Sequence, residues 1–272
     1  MNFNFIITEK CNWECSYCFF PRIENQKHPK LKNLQKHIPY IKDIPIDGYM
    51  DVQGGEIGLV PIDILEYFFT TMKQKMYIST NGLFLTKKMH LNEKIRPYIE
   101  MIQWHVHPEP CNNIHIYDIH DKEIFISKGI VGSSMDNMIN FLNYNKHIMF
   151  HYIDFEYYRN DLVFHDADKY RSLYAKINHI ENLTEDAKQR IRKRVTESKD
   201  LRSKCMFHND SILIDLVNEN ICLCQRNLDV NVNLTEKKLL ERIETEPIDF
   251  FNLDMISCYS CGRLYEGKTR RL

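Results

Sequence analysis

Apolar positions along this chain fall into short runs separated by stretches with helical periodicity. Residues 3–8, Phe-Asn-Phe-Ile-Ile-Thr, read as a short apolar strand, and residues 48–53 and 75–79 read as a second and a third. Between the second and third, Pro61 stands at the favoured first-turn position of a helix. Ile62, Leu65, Phe68, Phe69 and Met72 then recur at helical spacing. Residues 19–45 are polar and hold four prolines, so any helix there is expected to be short, over 31–37. A helix is expected over 88–98 and a fourth strand over 101–107, where Ile102, Trp104 and Val106 alternate with Gln103, His105 and His107.

Further along, residues 113–131 read as an inserted hairpin around a polar turn at 120–122. Ser133 or Ser134 caps a following helix, residues 147–153 form a fifth strand, and a helix over 166–176 leads to a sixth strand near 177–180. Thr184 caps a helix reaching residue 199, with Glu185 and Asp186 in its first turn where the helix dipole favours acids. Residues 212–217 and 221–224 pair as a hairpin turning at 218–220, and a last helix covers 236–243.

Strands alternating with helices through residue 180 predict a parallel sheet or barrel of α/β class. Active sites of such folds lie at the carboxyl ends of strands. Three unusual tripeptides or loops fall there: a cysteine loop over residues 11–18 after the first strand, Gly54-Gly55-Glu56 after the second, and Thr80-Asn81-Gly82 after the third. If the apolar set of the fourth strand packs on helices, Gln103, His105 and His107 face the interior of the barrel, and His151 on the fifth strand faces it too. Such a lining suits a polar substrate.

Composition narrows the function classes. The chain has 272 residues, a formal net charge of −1, 27% charged and 43% hydrophobic residues, ordinary values for a globular protein. That balance gives no electrostatic footprint for nucleic acid or an anionic membrane. No signal peptide and no apolar run of membrane-spanning length is evident, so the expected location is the cytoplasm. In that reducing setting nine cysteines point to metal ligands or buried side chains, not disulfides. Their clustering favours ligands: three lie in 11–18, five lie beyond 204, and Cys111 stands alone.

Cys11, Cys15 and Cys18, with three and then two residues between them, let one loop wrap a compact metal centre. Three ligands are one short of an ordinary iron–sulfur cluster and leave one iron open. A structural zinc site is the plainer alternative. The loop resembles that of the radical S-adenosylmethionine (radical SAM) superfamily, down to Tyr17 before the last cysteine. Gly54-Gly55-Glu56 is similar to the superfamily motif that contacts the amino group of S-adenosylmethionine, with Ile57 where proline is usual. Ser79-Thr80-Asn81-Gly82 is similar to its third-strand element near the methionine and ribose, which makes Ser79 and Asn81 candidate cofactor contacts. The resemblance implies a partial (β/α)6 TIM-like barrel. It also implies a 4Fe–4S cluster on the three cysteines, S-adenosylmethionine on the open iron, a 5′-deoxyadenosyl radical that abstracts hydrogen from a substrate, and an electron donor such as flavodoxin or ferredoxin.

Cys205, Cys222, Cys224, Cys258 and Cys261 form a second group. Spacing alone allows a four-cysteine zinc site. Beside the first motif, the group resembles the twitch domain, the shortened SPASM extension that carries an auxiliary 4Fe–4S cluster. Its layout is similar to that of 2-deoxy-scyllo-inosamine dehydrogenase. The resemblance implies ligation by Cys205, Cys224, Cys258 and Cys261, with Cys222 the alternative to Cys224 because both share strand parity. Glu219 stands in the hairpin turn where the family usually has glycine. The expected organisation is a barrel over 1–182 and a twitch-like domain over 183–272. The expected activity is oxidation or related C–H chemistry on a small polar molecule such as a sugar or cyclitol. A peptide or protein maturase and a non-catalytic zinc protein are the rivals.

Overall fold

Strands follow one another across the sheet in the order they occur along the chain. In the computed structural model they are β1 (Asn2–Ile6), β2 (Met50–Gln53), β3 (Met76–Thr80), β4 (Ile99–Val106), β5 (Phe125–Gly132) and β6 (Tyr152–Phe155), each parallel to its neighbour. The structure describes residues 2–15, 18, 26–45, 47–108, 118–132, 134–155, 167–197, 211–222 and 231–244. Helices α1 (Leu31–Ile41), α2 (Ile62–Met72), α3 (Leu83–Thr86), α4 (Met135–Tyr144), α5 (Ala167–Ile177) and α6 (Glu185–Glu197) intervene or follow.

The pleat runs in register across the strands. Asn4 pairs with Asp51, Asp51 with Tyr77, and Ser79 with Gln103, so one face gathers polar side chains. Phe5, Val52, Ile78 and Ile102 occupy the other face, where all four are fully buried with α1 and α2 side chains in one core. Phe68 of α2 meets Phe5 edge-on at 5.4 Å. Truncating Phe68 to alanine would cost about 3–5 kcal/mol. No helix among the described residues is long and apolar enough to cross a membrane.

Beyond β1 the same sheet continues. Strand β7 (Ser211–Asp215) pairs parallel with β1, and β8 (Asn220–Cys222) and β9 (Asn231–Asn233) extend it antiparallel, before helix α7 (Glu236–Glu244). The order is β6-β5-β4-β3-β2-β1-β7-β8-β9. The β7–β8 turn is held by Asp215, which accepts from the backbone N–H groups of Val217 and Asn218 and from the Asn218 side chain. Glu219 closes it at φ +57°. Its carboxylate offsets that strain by accepting from Asn33, Lys36 and His37 of α1, at 2.9, 3.0 and 2.7 Å.

Five sequence expectations shift. Residues 125–131 are not an arm of an inserted hairpin; they are strand β5, paired along β4 from Met101 to Val106. The polar turn before it is real but serves as the strand's entry. Asp121 accepts from the backbone of Glu123 and Ile124 and takes a bidentate bond from Arg96. Residues 147–151 alternate in burial without forming a strand, because Ile148 and Phe150 plug the core between α4 and β6 while Met149 is exposed. Phe150 makes one bridge, to Leu183, and residues 177–180 end α5 and turn. Helix α1 runs past His37 to Ile41 because Ile38 and Ile41 bury, while Pro39 lies on the exposed side. Residues 88–98 hold two 3₁₀ turns, Met89–Leu91 and Arg96–Tyr98, in place of a helix.

Candidate functional site

Three loops leave the carboxyl ends of β1, β2 and β3 side by side and are stitched together by backbone. Gly55 N donates to Thr8 O and Glu56 N to Lys10 O, both at 2.7 Å, extending the β1–β2 pairing into the loops. Only glycine fits the approach. Gly54 has φ +136° and a Cβ there would lie 2.3 Å from Thr8 O; a Cβ on Gly55 would lie 2.2 Å from Lys10 O.

Glu56 is fully buried beneath them. Its Oε1 accepts from Gly58 N at 2.8 Å, Phe84 N at 3.1 Å and Thr80 Oγ1 at 2.7 Å, and its Oε2 from Asn81 N at 2.7 Å and Thr80 Oγ1 at 2.9 Å. Burial pushes its pKa up, and these donors pull it back. The carboxylate is thus engaged with three backbone N–H groups and the Thr80 hydroxyl. Glu56 organises the loops; the exposed edge of the motif is the backbone of Gly54 and Gly55.

Asn81 links the third loop to the first. Its Nδ2 donates to Asn12 Oδ1 at 2.9 Å and approaches Cys11 Sγ at 3.7 Å, and its carbonyl accepts from Trp104 Nε1 at 3.2 Å. Cys11 is half-buried and also accepts from Trp13 N at 3.4 Å, while Cys18 N donates to Cys15 O at 3.1 Å. Burial raises the Cys11 thiol pKa most, the Trp13 N–H opposes it, and the charges of Glu56 and Cys18 add to the rise. Three thiols on one loop, one already receiving N–H donors to sulfur, fit an iron–sulfur or zinc centre by donor chemistry. Among the described residues no three metal-ligating side chains already converge on a point.

Below the loops lies the polar face. Gln103, His105 and His107 are half-buried along β4 and just past its end, while Ile102, Trp104 and Val106 are buried on the other side, as the alternation predicts. The His107 ring meets Trp13 of the cysteine loop edge-on at 5.4 Å and stacks with His105 at 6.4 Å; His105 meets Tyr152 at 5.8 Å. Burial, with the nearby His105, drives the His107 pKa down to about 3, so this histidine is neutral at pH 7. Ser79 donates to Asp51 at 3.1 and 3.3 Å. His151 is not brought to this end. It precedes β6, where its Nδ1 accepts from Lys128 N at 3.0 Å and its ring meets Phe125.

Asp51 escaped the sequence reading. The signal available was a carboxylate inside a strand, where aspartate is depleted. Burial pushes its pKa up to about 7 against the Ser79 hydrogen bond. Cys222 is buried on β8 and pairs opposite Leu213, in line with Asn4 and Asp51 on the polar face. Tyr17, Cys111, Cys205, Cys224, Cys258 and Cys261 lie outside the described residues.

No family model matches the sequence, and no curated protein matches it. Solved structures do. Streptococcus suis SuiB bound to S-adenosylmethionine aligns with TM-score 0.55 and 17% identity over 91% of this chain and 66% of SuiB. Native anSMEcpe with bound AdoMet aligns with TM-score 0.56 and 12% identity over 90% of this chain and 81% of that one. The chain has their fold. It spans about two thirds of the SuiB chain. BtrN in complex with AdoMet and 2-DOIA aligns with TM-score 0.46, which adds nothing to the argument.

Proposed function

We propose that this chain is a radical SAM enzyme acting on a small polar substrate. The observation that carries the reading is the backbone lock between Thr8 and Lys10, which lead into the cysteine loop, and Gly55 and Glu56, in the fold of structures that bind S-adenosylmethionine. In this reading Cys11, Cys15 and Cys18 hold a 4Fe–4S cluster, and the backbone of Gly54 and Gly55 with Asn81 and Tyr17 seats S-adenosylmethionine. When bound and reduced, that pair supplies a 5′-deoxyadenosyl radical able to abstract a substrate hydrogen atom. Glu56 holds the loops in place, and the rings of Trp13, His107 and His105 form a contiguous series beside them. Gln103, His105 and His107 offer polar hydrogen-bonding groups to the substrate, and Ser79 stands as a cofactor contact.

The reading extends to residues 183–272 as a twitch-like domain on a partial barrel. Cys205, Cys258, Cys261 and one of Cys222 and Cys224 would hold an auxiliary 4Fe–4S cluster there, an electron acceptor for substrate oxidation. A flavodoxin or ferredoxin would supply the first electron. A peptide maturase is the second reading, favoured by the alignment to SuiB bound to precursor peptide SuiA, with TM-score 0.50 and 14% identity.

Anaerobic reconstitution separates the readings. About eight irons per chain and 5′-deoxyadenosine formation are expected. Bound zinc with neither iron nor 5′-deoxyadenosine would overturn the proposal, and turnover of a precursor peptide but of no small molecule would favour the maturase.

A further inference from the structure

Nitrogen donors reach the Cys11 sulfur from two directions. Trp13 N, two residues on in the same loop, donates at 3.4 Å, and Asn81 Nδ2 approaches at 3.7 Å. The first donor is a backbone N–H that any residue other than proline would supply at position 13. The second depends on a side chain. It comes from the loop after β3 and reaches past β2, which lies between β3 and β1 in the sheet.

The orientation of the Asn81 amide is fixed by its neighbours. Its Oδ1 accepts from Leu83 N at 3.3 Å, and its Nδ2 donates to Asn12 Oδ1 at 2.9 Å. The Leu83 donor is backbone, so a reversed amide would set N–H against N–H there and lose that bond. The main chain of Asn81 is held as well. Its N donates to Glu56 Oε2 at 2.7 Å and its carbonyl accepts from Trp104 Nε1 at 3.2 Å. With one amide proton on Asn12, the other is left to face the Cys11 sulfur. Both donors of this side chain are thus spent within the protein, and only an Oδ1 lone pair stays open to a cofactor.

An N–H donor to a ligating thiolate draws charge off the sulfur and favours the reduced, more negative cluster. Hydrogen bonds to the sulfurs are among the levers that set iron–sulfur potentials. We propose that Asn81 is a positioning residue for the cluster of the first cysteine loop, whose amide orients the Cys11 thiolate and raises the cluster's reduction potential by N–H···S donation. This rests on the radical SAM reading and deepens it. The loop after β3 sets how readily the cluster takes the single electron that starts the reaction.

The test uses the anaerobically reconstituted full chain, titrated with dithionite and redox mediators in the absence of S-adenosylmethionine and followed by electron paramagnetic resonance. The cluster of the first loop is identified afterwards as the one whose spectrum changes when S-adenosylmethionine is added. Asn81→Leu, which removes the donor without adding charge, should shift the reduction equilibrium about tenfold toward the oxidised form, a fall of about 59 mV for a one-electron couple. With the side-chain nitrogen of asparagine isotope-labelled, the reduced cluster of the unmodified chain should show coupling to that nitrogen, lost in the variant. A shift of less than about threefold, a shift toward the reduced form, or no coupling in the unmodified chain would each overturn the assignment. A variant that changes only the affinity for S-adenosylmethionine would overturn it too. The labelled unmodified chain needs no variant, so it decides even if Asn81→Leu folds poorly. Absence of any cluster that responds to S-adenosylmethionine removes the radical SAM reading; a responsive cluster indifferent to Asn81 removes this assignment alone.

Discussion

Glu56 and Asp51 lie five positions apart around the end of one strand, both buried, and the molecule treats them oppositely. Glu56 sits where loops meet, and the turns after β2 and β3 aim backbone N–H groups at it. Asp51 sits inside β2, where the ladder consumes backbone donors and leaves side chains to supply the rest. A buried acid at a loop junction therefore acts as scaffold, while one on a sheet face depends on side chains for its donors. Burial raises the pKa of both acids; their partners decide how fully each carboxylate is satisfied once buried.

The largest test of the contrast is catalytic. On the proposed reading, replacing Cys11, Cys15 or Cys18 by alanine should abolish 5′-deoxyadenosine formation while about four irons per chain, those of the proposed second cluster, persist by iron assay. Persistence of cleavage would detach the cysteine loop from the site. Next, Glu56→Ala leaves three backbone N–H groups and a hydroxyl without their acceptor. Urea unfolding should show a loss of about 3–5 kcal/mol. A loss below about 1 kcal/mol would mean that the loops hold without it. Gly55→Ala, whose Cβ would collide with Lys10 O, should cost about 2 kcal/mol or more and weaken S-adenosylmethionine binding.

Asp51→Asn should go the other way. The folded state raises the Asp51 pKa from 3.8 to about 7, so folding binds a proton across that interval. The native acid is most stable relative to the unfolded chain below pH 3.8, and this advantage is lost as pH rises to about 7. The amide has no such penalty. Its stability relative to the native acid should rise through the same interval and level off above pH 7, at about 1–3 kcal/mol, measured by denaturation at several pH values. A flat difference across that window would show that the acid is not desolvated. The smallest effect is expected at Glu219, a half-exposed acid with partners. Glu219→Gly removes three hydrogen bonds to α1 but relieves the positive φ, for a net change within about 1 kcal/mol in a thermal melt.

Legibility from sequence tracked how local each feature is. The cysteine loop, the two glycines and the 11-residue helix α2 are set by neighbours within one or two turns of chain, and they stand where expected. The β4 alternation also held, because side-chain direction in a strand depends only on parity. Strand β5 was misassigned because Ile124 and Ile126 suit a hairpin arm as well as a buried parallel strand, and only pairing with β4 decides between them. Residues 147–151 misled for the converse reason: alternating burial arose from core plugs without a ladder.

What the amino-acid sequence determined by itself is the chemistry on offer: a thiol loop after the first strand, a glycine pair free to approach it, and a polar stripe on the fourth strand. What tertiary structure decided is how each acid is used. The donors to Glu56 include residues 24 to 28 positions away, and the shortage at Asp51 exists because the strands beside it bring neutral residues. Solvation of a carboxylate is a sum over groups brought close in space, and no local pattern records that sum. Likewise β7 lies beside β1 through pairing across some two hundred residues, carrying the second cysteine-bearing hairpin onto the sheet that holds the first cysteine loop.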